Sequence, residues 1–145
     1  MLNGSMFSSE KQDWETPQDF FDELNKEFQF TLDPCASANN AKCDKYYTIA
    51  EDGLSKSWFG EAVFCNPPYG RYQKDWIKKA HDTCKAGGNT TVVMLLPART
   101  DTKIFHEYIL EKSEIRFVKG RLKFGNSTNS APFPSMVVIY RSSQG

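Results

Sequence analysis

Four consecutive residues, Asn66-Pro67-Pro68-Tyr69, come directly after the apolar run Ala62-Val63-Phe64-Cys65. The run reads as a short buried strand. The two prolines stop it, because proline has no N–H to give a ladder and its ring locks φ. The tetrad then holds a side-chain amide oxygen beside a backbone carbonyl, with an aromatic ring next in line. Two acceptors aimed at one point suit an exocyclic amino group. Taking up both N–H bonds favours a pyramidal nitrogen whose lone pair is free to attack, and Tyr69 offers a stacking face to the ring that bears the amine. Pro67 would contribute its carbonyl and Pro68 rigidity. The bland alternative is a proline turn that merely ends a strand.

Two further clusters fall at the ends of expected strands, Asp33-Pro34-Cys35-Ala36 and Pro97-Ala98-Arg99-Thr100. Ligands of open α/β sheets bind outside the carboxyl ends of strands, so the three clusters would line one crevice. Asp33-Pro34 reads equally as a strand cap and turn. Asp52, in an Asp-Gly dipeptide, is either a turn former or a ligand contact. Arg71, Lys74, Arg99, Arg121 and Lys123 lie in loops near the crevice and read as phosphate contacts or as solvated charge. Cysteines at 35, 43, 65 and 84 lack the close pairs of zinc sites and the density of a disulfide scaffold, so reduced thiols are expected. His81 and His106 have no second ligand nearby, and no metal is expected.

Positioning these residues requires alternating elements. Thr16-Pro17 reads as an N-cap and first helical residue, and Phe20, Phe21, Leu24 and Phe28 keep to one face, which predicts a helix over 17–27. Phe30-Thr31-Leu32 predicts a short strand ending at Asp33-Pro34. Residues 36–57 carry turn signals and little periodicity, which predicts irregular chain with a turn or two of helix. Trp76, Ile77, Ala80 and Cys84 mark a helix ended by Gly87-Gly88, with Trp58 and Trp76 expected in the core or on a helix face. A strand comes next at 90–96, then a helix begun near Asp101-Thr102, and strands at 115–118 and 136–140. This order predicts an α/β fold with a mainly parallel sheet and an antiparallel hairpin at its edge.

At 145 residues, 39% hydrophobic and 25% charged with 20 aromatics, the chain is sized for one domain with an ordinary core. Residues 1–12 read as a flexible arm and 13–145 as that domain. No run approaches the ~18 apolar residues of a membrane span, and the polar start lacks a signal peptide's apolar segment, so the expectation is a cytoplasmic protein without membrane contact. The net charge is zero, yet residues 1–60 carry 5 basic against 11 acidic side chains and residues 61–145 carry 13 against 7. The basic second half suits an anionic partner, although solvated charge would look similar.

With these motifs in view, the chain resembles the phage-type Dam-like DNA adenine-N6 methyltransferases. The likeness spans Trp14 to Tyr140. It rests on Trp14-Glu15-Thr16-Pro17, Leu32-Asp33-Pro34-Cys35-Ala36, Asp52-Gly53-Leu54, Trp58, Asn66-Pro67-Pro68-Tyr69-Gly70, Leu96-Pro97-Ala98-Arg99-Thr100-Asp101, Gly120-Arg121-Leu122-Lys123-Phe124-Gly125 and Ala131-Pro132-Phe133-Pro134-Ser135. The resemblance implies a reduced Rossmann-like fold and methyl transfer from S-adenosylmethionine to adenine N6 in double-stranded DNA by a phage or prophage enzyme. It implies that Asn66, Pro67, Pro68 and Tyr69 form the catalytic loop around a flipped adenine. Asp33, Pro34, Cys35 and Ala36 would hold the methionine part of the cofactor, Thr16 and Pro17 would line its pocket, and Asp52 would accept from its adenine amino group.

The sequence departs from that pattern in three ways. Residues 33–40 contain no glycine where such enzymes have a glycine-rich turn. Asp52 lies only 19 positions beyond Asp33, too few for a full helix and strand, so the second and third strands should be reduced or missing and the ribose ligand is unassigned. No separate target-recognition domain is visible, which leaves DNA to loops 70–74, 99–103 and 119–128, or to a second subunit. The same Asn-Pro-Pro-Tyr tetrad serves enzymes that methylate RNA bases and protein glutamine amides. A non-catalytic DNA-binding protein that keeps the fold is a further alternative.

Overall fold

The computed structural model describes residues 15–125 and 130–142. Element α1 (Gln18–Phe28) buries Phe21 and Leu24. It stops at Gln29, which takes φ 54° and donates its N–H to the Asn25 carbonyl at 2.9 Å. The helix starts one residue later than the Thr16-Pro17 pattern predicts. Pro17 itself is the N-cap and no side chain caps the end, because the Thr16 hydroxyl is engaged elsewhere.

Strands β1 (Ala62–Cys65) and β2 (Thr91–Pro97) flank helix α2 (Gln73–Lys85), and β3 (Glu114–Phe117) and β4 (Ser135–Arg141) complete the sheet. Its order is β1-β2-β4-β3. β1 pairs with β2 in parallel, with Val63 beside Val92, while β4 pairs antiparallel with both β2 and β3. Three strands therefore point one way and β4 runs against them. The expected mainly parallel sheet is present in strand direction, but most ladder pairs are antiparallel, because the reversed strand has a neighbour on each side. The expected antiparallel hairpin, β3 with β4, does form one edge of the sheet, with β4 on its inner side. β4 is buried along Ser135 to Tyr140, and a strand without an exposed face needs cover on both faces. β3, with Glu114 and Arg116, takes the edge, where charge discourages further pairing.

The two faces of the sheet are read off alternate residues. Val92, Met94 and Leu96 of β2 and Met136, Val138 and Tyr140 of β4 join Trp58, Trp76 and Ile77 on the α2 side. Val93, Leu95, Val137 and Ile139 join Phe21, Leu24, Phe64 and Phe133 on the α1 side. The strand expected at 30–32 shrinks to isolated bridges at Leu32 and Asp33, since both Thr31 and Leu32 donate to the same Ala62 carbonyl before Pro34 turns the chain away. Between there and β1 the chain is irregular apart from a 3-10 turn at Gly53–Ser55. The helix expected after residue 101 is a π-helical turn, Phe105–Ile109. Burial of both Phe105 and Ile109 accompanies an i to i+5 bond from the Leu110 N–H to the Phe105 carbonyl, 2.8 Å. The arm at 1–12, Trp14 and part of the 119–128 loop lie outside the described residues.

Candidate active site

The three clusters lie at the carboxyl ends of β1 and β2 and of the Leu32 bridge, but they line two cavities and not the single crevice expected. A cavity of about 450 Å³ is lined by Thr16, Asp33 to Ala36, Asp52, Asn66 and Pro68, among others. A second, of about 340 Å³, is lined by Tyr69, Arg71, Lys74 and Arg99 together with the ends of α2 and β2. The turn at 66–69 thus contributes to both. Pro17 lines neither cavity; its carbonyl accepts the Phe21 N–H at 3.1 Å within the first turn of α1. Arg121 and Lys123 are outside both cavities, although Leu122 and Phe124 between and beside them pack into the α1-side core.

Within the turn, the Asn66 side-chain amide donates to the Thr16 hydroxyl at 2.9 Å. Pro67 is buried, and the Pro68 carbonyl accepts a long bond (3.5 Å) from Gln73 Nε2 at the start of α2. The Tyr69 ring lies 5.1 Å from that of Phe133, tilted by 57°, and burial pushes its phenol up. The guanidinium of Arg99 sits 6.0 Å from the other end of this aromatic pair, above Phe133. Arg71 is turned onto its neighbour Tyr72, 4.9 Å from the ring and hydrogen-bonded to its hydroxyl.

On the first cavity, Asp33 is 4% exposed and accepts the Lys42 N–H at 3.0 Å and, more weakly, the Cys35 N–H at 3.4 Å. Burial raises its pKa and these two donors oppose the rise. Residues 45–47 run alongside, with the Tyr47 N–H donating to the Asp33 carbonyl and the Ala36 N–H to the Tyr47 carbonyl, each at 3.0 Å. This short pairing stands where longer second and third strands would be. Asp52 is both a turn former, at φ 59°, and a cavity residue. Cys65 is fully buried with its thiol pushed up, an inert core residue rather than a nucleophile. Trp58 and Trp76 are core residues, stacked at 6.0 Å, and Trp76 also lines the first cavity.

A Dam family model described as DNA N-6-adenine-methyltransferase matches residues 4–145. The chain belongs to the DNA N-6-adenine-methyltransferase (Dam) family. It is similar to the DNA N-6-adenine-methyltransferase of Haemophilus phage HP1, 28% identical over 148 residues that cover 97% of this chain and 84% of the relative. It is also 33% identical over 112 residues to the DNA N-6-adenine-methyltransferase of Escherichia phage T1, covering 75% of this chain and 45% of that protein. The resemblance read from the sequence is therefore correct at the level of the family.

Three further residues build this Dam-family site. Gly53 lies against the 33–36 segment so closely that a Cβ there would meet the Pro34 carbonyl oxygen at 2.0 Å. This glycine lets the facing loop pack directly on the 33–36 backbone. Lys42 lines the first cavity and is tied through its N–H to Asp33. Phe133 backs Tyr69. Gly53 and Phe133 belong to the motifs Asp52-Gly53-Leu54 and Ala131 to Ser135, so their presence is visible in the sequence but their contacts are not. Lys42 carries no sequence signal, because an isolated lysine in an irregular stretch looks like any solvated charge.

Proposed function

We propose that this chain transfers the methyl group of S-adenosylmethionine to the N6 amino group of adenine in DNA. The observation that carries the reading is the turn at 66–69 between two cavities, with the expected donor residues on one and an aromatic ring with three cations on the other. The first cavity suits the donor. Its volume falls in the range of small-molecule sites, and its wall includes the apolar Ile49, Phe64 and Trp76. Asp33, Asp52 and Glu15 supply carboxylates for the donor's cationic and N–H groups. Lys42 is the one Lys or Arg among the described lining residues, placed to take the donor's carboxylate.

When bound, S-adenosylmethionine supplies an electrophilic methyl on a sulfonium sulfur. In this reading Asn66 and the Pro67 carbonyl accept the two N–H bonds of the adenine amine and aim its lone pair along the line from nitrogen through the methyl carbon to sulfur. The N–C bond forms as the C–S bond breaks, the pair returns to sulfur as the neutral thioether, and the amine's surplus proton leaves to solvent. No covalent intermediate with the enzyme is needed, and alignment supplies most of the rate. Tyr69, braced by Phe133, stacks on the flipped base. Arg71, Lys74 and Arg99 hold the strand beside the second cavity, and Arg121 and Lys123 reach phosphates farther along the duplex.

The fold supports the same reading. A sheet with three strands in one direction, a reversed strand inserted before the edge, and cavities at the carboxyl ends fits a reduced Rossmann-like methyltransferase sheet. The phage relatives support a phage or prophage enzyme; acting on DNA, it would work in the cytoplasm of a bacterial host.

The test is transfer of labelled methyl from S-adenosylmethionine to unmethylated duplex DNA, with nucleoside mass detection, run beside RNA and a protein mixture. N6-methyladenine in the DNA alone is expected; label in RNA or protein moves the acceptor. Asn66→Ala should keep the fold and S-adenosylhomocysteine binding but lose transfer, and near wild-type turnover by that variant would sink the assignment.

A further inference from the structure

We infer that Thr16, which also lines the first cavity, acts as a positioning residue for the Asn66 amide. The inference rests on the proposed role of Asn66. The two side chains are 50 positions apart, yet the Asn66 amide donates to the Thr16 hydroxyl at 2.9 Å. Thr16 is 4% exposed and Asn66 is half-buried, so the bond is made at the wall of the first cavity. Asn66 comes directly after β1, and its backbone is fixed by the two prolines behind it. Its side chain nonetheless keeps two rotatable bonds, and the second is a broad, soft torsion. A turn that fixes only the backbone therefore leaves the amide plane free to swing. The Thr16 hydroxyl fixes that plane from a different element.

Thr16 is itself held on both sides. The next residue, Pro17, is the N-cap of α1, with φ −59°. The preceding Glu15 carbonyl accepts the Gly125 N–H at 2.8 Å. The hydroxyl thus stands on a short segment pinned between α1 and the 120–125 loop. A β-branched residue suits the role, because its χ1 is restricted and its oxygen keeps one place. Threonine in this position is consequently not the helix cap that Thr-Pro implies; the oxygen that would cap α1 is spent on Asn66, and α1 has no side-chain cap.

The experiment is steady-state methyl transfer to duplex DNA by full-length Thr16→Val and Thr16→Ser, with thermal unfolding and S-adenosylhomocysteine binding on the same samples. Val keeps the branched shape and deletes the oxygen. We expect kcat to fall about tenfold or more in Thr16→Val, with KM for DNA and affinity for S-adenosylhomocysteine within about twofold of wild type, and Thr16→Ser to recover most of kcat. Should Thr16→Val not fold, Thr16→Ala against Thr16→Ser makes the same comparison. Wild-type kcat in Thr16→Val, or weakened S-adenosylhomocysteine binding with kcat retained, overturns the inference, the second outcome leaving Thr16 as a donor-pocket wall alone. Asn66→Ala in parallel separates the two levels. If it is inactive while Thr16→Val is unaffected, only the role of Thr16 falls; if it is fully active, the reading of Asn66 falls with it.

Discussion

Replacing Gly53 by alanine tests the claim that this glycine lets its loop pack directly on the 33–36 segment. The added methyl would lie 2.0 Å from the Pro34 carbonyl oxygen, 3.0 Å from its carbon and 3.2 Å from the Trp76 ring. Ordinary contact begins at 3.4 Å, so the 33–36 segment and the Gly53–Ser55 turn must separate by about 1.4 Å. Neither side gives easily. Pro34 is rigid and comes after the buried Leu32 and Asp33, and Trp76 is wedged against Trp58, whose indole N–H donates to the Gly53 carbonyl at 3.0 Å. Overpacking between backbone and a core ring falls toward the upper part of the usual range, about 2 to 3 kcal/mol. For a chain of this size that lowers Tm by about 6 to 10 °C. The opening lies in the wall of the donor cavity, so S-adenosylhomocysteine should also bind about tenfold more weakly, a loss of about 1.4 kcal/mol. Gly87→Ala is the control. Its φ of 101° carries the penalty of a left-handed backbone, about 1 to 2 kcal/mol, but no heavy atom lies within 4 Å of the new methyl. Thermal unfolding and calorimetric titration on both variants decide the matter. A Gly53→Ala protein no less stable than Gly87→Ala, with S-adenosylhomocysteine affinity unchanged, would refute the close-approach argument.

Charge and stacking have testable consequences as well. Burial holds the Asp33 carboxyl above its usual pKa, so the folded state binds that proton more tightly than the unfolded chain. Stability from this group is then complete at low pH and lost as pH rises from the ordinary Asp range through the raised folded value. Urea unfolding from about pH 3 to 7 should show wild type losing stability relative to Asp33→Asn across that window; a difference that is flat or reversed contradicts the burial argument. Arg99→Ala should weaken duplex binding and make the plot of log affinity against log salt shallower by about 1, as loss of one phosphate contact requires. An unchanged slope would remove Arg99 from the DNA contacts. Tyr69→Ala should lower kcat/KM by the stacking loss of roughly 1 to 3 kcal/mol, whereas Tyr69→Phe keeps most of it; equal loss in both would shift the role from the ring to the hydroxyl.

The family, the strand-ending turn at 66–69 and most elements are legible in the sequence because local chemistry fixes them. The apolar run at Ala62–Cys65 and the prolines after it specify a strand and its end without reference to any other segment. The spacing of Trp76, Ile77, Ala80 and Cys84 likewise specifies a helix face. Asp33, Pro34, Cys35, Ala36, Asp52 and Asn66 stand out by type, and they do come together around one cavity. Sequence proximity misleads where a residue has a stronger partner far away. Thr16 looks like a cap and bonds Asn66 instead.

Only the tertiary structure decided the contacts made across long stretches of chain. That Gly53 packs on Pro34, that Phe133 braces Tyr69, and that Lys42 reaches the donor cavity depend on how an irregular loop folds back over the strand ends. Such a loop has no periodicity to betray its course. Its path is set by hydrogen bonds such as Tyr47 to Asp33 and by the burial of Trp58, interactions between residues that no local pattern links. The chemistry was written in short motifs, and the geometry that lets it act was written in the distances between them.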